Sequence, residues 1–153
     1  MRISDIMTEA AVTDRPDDDL AAAARKMWEQ QTGSLLVLDG EELVGIVTER
    51  DVLRAVALGT ALETPVSQVM SRDLITVEPF TSLREAAKIM TEKWIRHLPV
   101  LEGGRLIGVV SQRDLAGVLA GALNEPEDLH RLIESSGLVR ERRLKRIEHG
   151  DLD

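Results

Sequence analysis

Two four-residue motifs hold the residue types best suited to chemistry. Thr48-Glu49-Arg50-Asp51 and Ser111-Gln112-Arg113-Asp114 each set a hydroxyl three residues before a carboxylate, behind a strand-like run containing Gly45 or Gly108. At a helix start this spacing makes a cap, with the hydroxyl accepting from free backbone N–H groups and the acid favoured by the helix dipole. The same geometry suits an anionic ligand. Exposed N–H groups at a helix start can receive a phosphate, the hydroxyl adds a bond, and the carboxylate can accept from ribose hydroxyls. Both readings stand at this point. Gly45 and Gly108 either permit a close backbone approach or simply relieve strand crowding. Arg50 and Arg113 either face the phosphate or pair with the aspartate of their own motif.

Arg96-His97 is the third candidate. Arginine presents a planar fork of donors that fits phosphate oxygens, and neutral His97 donates one hydrogen bond where the charged form donates two. The alternative is a surface arginine paired with a nearby carboxylate and a histidine satisfied at a sheet edge. Catalysis finds no such support. His97, His130 and His149 lack metal-ligand spacing, cysteine is absent, and no Ser-His-Asp order stands out. The glycines at 103–104 read as a hairpin turn rather than a phosphate loop. The expectation is a chain that is not an enzyme and requires no cofactor.

An internal repeat must position these motifs. Residues 3–57 recur at an offset of 63 without a gap, with 19 identities that include Met7/Met70, Thr13/Thr76, Gly45/Gly108, Arg50/Arg113 and Asp51/Asp114. In each copy Leu, Ala, Ala and Met fall at i, i+3, i+4 and i+7 (Leu83, Ala86, Ala87 and Met90 in the second), one apolar face of a helix. Asp19 and the Ser82-Leu83-Arg84-Glu85 capping box mark the two helix starts. Two β-rich runs follow, 35–38 and 43–48 in the first copy, split by an Asp39-Gly40 turn, and a second helix opens near Glu49. With a short strand around Val12-Thr13, the order is β-α-β-β-α, given twice. The fold class is therefore α/β in composition (α+β), with 1–62 and 63–121 as the two units and 122–153 as a helical, basic extension.

The residues Asp5-Ile6-Met7-Thr8, Val69-Met70-Ser71, Arg96-His97-Leu98-Pro99-Val100 and the two Gly-to-Asp runs, 45–51 and 108–114, identify a resemblance. The chain resembles a tandem pair of cystathionine-β-synthase (CBS) domains, a Bateman module, over about residues 3–120. The resemblance implies two copies packed pseudo-symmetrically through their sheets, with two clefts for an adenine nucleotide between them. It implies Thr48, Asp51, Ser111 and Asp114 as nucleotide contacts, with the aspartates on ribose, and Arg96 and His97 as phosphate contacts. It implies Val12, Thr13, Ile46, Ile75, Thr76 and Val109 as the adenine lining, residues that also serve as strand core. The ligand class is AMP, ADP, ATP or another adenosyl compound. Homodimerisation is implied as well.

Charge bounds the partners. The formal net charge is −8, distributed as −7 over residues 1–64, +1 over 65–120 and −2 over 121–153, so an anionic ligand should favour the middle third. Three aromatics (Trp28, Phe80, Trp94) leave few stacking platforms, which with the acidic balance counts against nucleic acid. Trp28 and Trp94 read as packing at a module or dimer contact. The run 138–147 carries five basic residues against one acid and offers a dock for an acidic surface, on the module itself, its dimer mate or another protein. No apolar run approaches the roughly 18 residues of a membrane span. The opening Met1-Arg2-Ile3-Ser4-Asp5 lacks a signal-peptide core, so the expected compartment is the cytoplasm. The expected function is a regulatory sensor that binds an adenine nucleotide and signals through an oligomer or partner. The alternatives are a ligand-free interaction scaffold and a nucleic-acid binder acting through the basic tail.

Overall fold

The computed structural model describes residues 1–9 and 11–122. The tail expectations, including the basic run 138–147, lie outside the described residues. The first repeat consists of β1 (Thr13–Asp14), α1 (Leu20–Gln30), β2 (Ser34–Asp39), β3 (Glu42–Thr48) and α2 (Glu49–Ala57). The second consists of α3 (Leu83–Lys93), β4 (His97–Glu102), β5 (Arg105–Ser111) and α4 (Gln112–Ala122). Asp19 and Ser82 cap α1 and α3, accepting from Ala22 and Glu85 N–H at 2.7 and 3.1 Å. The two helices also end alike, on the left-handed residues Gln31 and Trp94, which turn each chain into its first long strand.

Both hairpins are antiparallel, and both carry a register irregularity at the same place, between Val37 and Leu38 and between Val100 and Leu101. The leading strand differs. In the first repeat β1 runs parallel to β2, and Leu36 N–H donates to Val12 C=O at 3.0 Å. The residue matching Leu36 is Pro99, which has no N–H to give to Ile75. The expected strand at Ile75-Thr76 therefore does not form a ladder; a single parallel bridge, Val77 to Val100, takes its place. Val77 holds it from both sides, with its N–H on Pro99 C=O at 3.0 Å and its C=O accepting from Leu101 at 2.9 Å.

Each repeat encloses a core of aliphatic side chains, and each core borrows the opening segment of the other repeat. Ala23, Met27, Leu35, Val37 and Val47 are buried with Val66, and Val69 and Met70 pack beside them. Ile3 is buried with Val77, Ala86, Met90, Leu98, Val100 and Val110, flanked by Ile6 and Met7. Fully burying a side chain such as Ile3 or Val66 contributes about 1.5–3 kcal/mol, so each exchanged segment helps to hold the repeats together. The glycines at the centre of β3 and β5 explain how this is done. A Cβ on Gly45 would collide with Met70 Sδ, and one on Gly108 would stand 2.8 Å from Thr8 C=O and 3.0 Å from Met7 Sδ. Of the two roles open to these glycines, the structure shows close approach, and what approaches is the chain itself. The result is that β3 and β5 pack against each other at the seam between repeats.

Candidate functional site

The paired motifs lie at matching helix starts beside that seam. At α2, Asp51 Oδ2 accepts from Thr48 N–H at 2.8 Å and from its hydroxyl at 3.1 Å, while Thr48 Oγ1 accepts from Asp51 N–H at 3.4 Å. At α4, the corresponding bonds of Ser111 and Asp114 measure 2.7, 2.8 and 3.3 Å. The cap is thus real in both copies, and all four side chains are half-buried rather than enclosed. Its bonds engage one oxygen of each carboxylate. The other oxygen of Asp51 has the Arg54 guanidinium 4.0 Å away, one helical turn on.

Arg96 and His97 sit where the repeats meet. Arg96 is exposed, and its C=O accepts from Gln112 N–H at 2.9 Å, which ties it to the α4 start. Its counterpart Gly33 holds Glu49 N–H at 3.1 Å at the α2 start. His97 opens β4 opposite Ser111 and reaches across the seam. A Cβ built on Gly33 would stand 3.3 Å from His97 Cε1, 3.4 Å from its Nε2 and 3.1 Å from Glu49 Oε1. Burial holds the His97 pKa below its ordinary value, and the Arg96 charge adds to this against the smaller opposing pull of Glu49 and Asp114. The imidazole is therefore mainly neutral at pH 7, and Arg96 is the definite cation of the pair.

The expected lining residues fall into separate settings. Ile46 is bridged to Ser71 by bonds of 3.0 and 2.9 Å, and Val109 to Thr8 by bonds of 3.0 and 2.9 Å, so both flank the helix starts at the seam. Val12 and Ile75 pack against the cores of the first and second repeats. Thr13 is half-buried in β1, whereas Thr76 and Arg113 are exposed. Thr8, Ser71, Gly33 and Glu49 were not among the expected site residues. Thr8 and Ser71 reach the seam through the exchanged segments, signalled by the pairing of Met7-Thr8 with Met70-Ser71, whereas Gly33 and Glu49 meet His97 only across the repeats. Of the tryptophans, Trp28 is 77% exposed, so it does not pack within its own module, and Trp94 is half-buried at the end of α3.

One polar pair lies away from the seam. Asp14 is buried on the α1 side of the first sheet, ion-paired to Lys26, whose ammonium also donates to Thr13 C=O at 2.8 Å. Asp14 Oδ2 is buried without a hydrogen-bond partner, and burial raises the carboxyl pKa despite the pull of Lys26. Among the described residues, no His, Asp and Glu side chains cluster so as to hold a metal ion, and no helix is long and apolar enough to cross a membrane.

Comparison with known proteins agrees with this architecture. The CBS domain family model matches twice, at residues 3–58 and 66–121. The CBS domain-containing protein YhcV of Bacillus subtilis is 36% identical over 115 residues, covering 74% of this chain and 82% of that one. A protein with CBS domains from Burkholderia ambifaria superposes with a TM-score of 0.77 at 34% identity, over 82% of this chain and 98% of that one. The CBS domain pair of protein MJ0100, solved with 5′-methylthioadenosine and S-adenosyl-L-methionine, shares the fold at a TM-score of 0.75 and 23% identity, over 80% and 98% of the two chains.

Proposed function

The chain belongs to the CBS-domain family as a tandem pair, and we propose that it is a non-catalytic sensor of an adenine nucleotide. The ligand sits in the clefts between the repeats, and its binding is transmitted to an oligomer or partner protein. One observation carries this reading: two hydroxyl–carboxylate helix starts flank one seam, with Arg96 tied to one of them and His97 crossing it. In this reading the Ser111 and Thr48 hydroxyls receive the ligand at the starts of α4 and α2. Asp114 and Asp51 accept from ribose with the oxygen that the cap leaves over. Ile46, Val109, Val12, Thr13, Ile75 and Thr76 line the base, and Arg96 with Arg113 supplies positive charge. The MJ0100 pair, which shares this fold, was solved with two adenosyl compounds, and this supports a ligand of that class here. The module acts in the cytoplasm as a homodimer, joined through the exposed apolar residues Leu53 and Val56 of α2 and Leu119 of α4.

The second reading is a ligand-free scaffold. It is favoured by the caps themselves, whose hydrogen bonds already give each motif a structural task. The two separate by titration of the full chain with AMP, ADP, ATP, S-adenosylmethionine and NAD, followed by heat flow and by thermal midpoint. A ligand at 100 times its Kd adds about 2.7 kcal/mol to the folded state, a readily visible shift. The sensor reading expects saturable binding that Asp114→Ala or Asp51→Ala abolishes while the fold persists. Flat titrations with all five compounds at millimolar concentration would leave the scaffold.

A further inference from the structure

We infer that Glu49 sorts ligands by charge, so that the α2 start takes an adenosyl compound without phosphate and the α4 start takes the phosphorylated one. This rests on the adenosyl reading above and assigns a ligand class to each cleft. The two helix starts are alike in hydroxyl, carboxylate and arginine: Thr48, Asp51 and Arg50 on one side, Ser111, Asp114 and Arg113 on the other. They differ in charge at three places: two make the α2 start more acidic, and one, Arg54 of α2 against Gly117 of α4, opposes them. The first residue of α2 is Glu49 where that of α4 is Gln112, and the residue bonded to it through the backbone is Gly33 where α4 has Arg96. The α2 start is therefore one charge unit more negative on balance, its Arg54 lying 4.0 Å from Asp51 Oδ1.

Glu49 also has a definite position at the seam. Its Oε1 lies beside the His97 ring over the bare Cα of Gly33, and its field reaches the imidazole. An incoming phosphate at the α2 N–H groups would meet this carboxylate, with no arginine at position 33 to offset it. A neutral nucleoside or a cationic adenosyl sulfonium meets no such opposition, and the ribose contact of Asp51 is unaffected. At the α4 start Gln112 is neutral, and Arg96 favours the anion. One full charge a few ångströms away at a half-solvated protein surface changes affinity on the order of tenfold.

Adenosine and AMP, which differ by the phosphate alone, test this by calorimetric titration of the full chain. The wild type should bind adenosine at both clefts and AMP at one cleft at least about tenfold more tightly than at the other. Glu49→Gln should strengthen the weaker AMP site about tenfold and leave adenosine within about twofold. Gln112→Glu should weaken the stronger AMP site by a similar factor. Equal AMP affinity at both clefts, or an AMP-to-adenosine ratio unmoved by Glu49→Gln, would overturn the inference while leaving the adenosyl reading intact. A chain that binds neither compound overturns both.

Discussion

The two repeats differ less in shape than in what they place at equivalent positions. Their helices start on matching caps, their hairpins shift register at the same residue, and a glycine at the same place admits a methionine from the other repeat. Against this frame, Asp14 and Lys26 in the first repeat stand where the second has Val77 and Ile89. Leu36 stands where it has Pro99, Gly33-Ser34 where it has Arg96-His97, and Glu49 where it has Gln112. The duplicated fold keeps the helix caps, the hairpin shift and the seam glycines. Divergence here is not confined to the seam and the solvent, for the buried Asp14 and the hydrogen-bonding Leu36 have changed as well.

The largest way to break the comparison is to give the first repeat the proline of the second. Leu36→Pro removes the N–H that bonds Val12 C=O in a strand paired on both sides, and should cost about 2–4 kcal/mol in urea denaturation. Next comes the buried ion pair. Lys26→Ile leaves Asp14 without its countercharge and should cost about 2–3 kcal/mol, less than a fully buried pair would because Lys26 is partly exposed. Adding Asp14→Val installs the second repeat's pair and should recover most of that loss, because well-packed apolar residues replace a buried ion pair at little net cost.

Gly108→Ala should cost about 2 kcal/mol and Gly45→Ala about 1 kcal/mol, because the new methyl meets the Thr8 carbonyl in one case and a flexible Met70 side chain in the other. Thr48→Ala and Ser111→Ala should each cost about 1 kcal/mol, the usual worth of an N-cap, and their equality would confirm that the caps are structurally equivalent. The smallest effect is on pH dependence. The Asp14 pKa is raised in the fold, so the stability it contributes is present in full below the unfolded value near 3.8 and is lost as pH rises through the folded value. The Asp14→Val/Lys26→Ile protein should therefore gain stability relative to wild type as pH is raised from below 3.8 towards neutrality, measured by parallel denaturation curves.

Much of this was legible from one chain. The offset of 63 aligned Leu20, Ala23 and Met27 with Leu83, Ala86 and Met90, and all but Leu83 are buried. The hydroxyl–carboxylate spacing marked both α2 and α4 because a cap is local, closed by residues three positions apart. Pro99 was also in view, inside a motif already singled out, and its missing N–H accounts for the absent strand at Ile75-Thr76. Asp14 and Lys26 were harder to see. A lone acid and a lysine twelve residues apart read as solvent-facing until the sheet and α1 bury one against the other.

What the sequence by itself determined is whatever recurs at short range: helix periods, caps, hairpin turns, the tandem repeat and through it the family. The tertiary structure alone decided which repeat each opening segment joins. It alone brought Glu49, Gly33 and His97 to one point on the seam and left Trp28 in solvent. The physical reason is range. Capping and amphipathic periodicity are written between neighbours in the chain, whereas Met7 on Gly108 and His97 on Gly33 join residues more than 60 positions apart. Such contacts exist only once two cores have closed and their strands have packed.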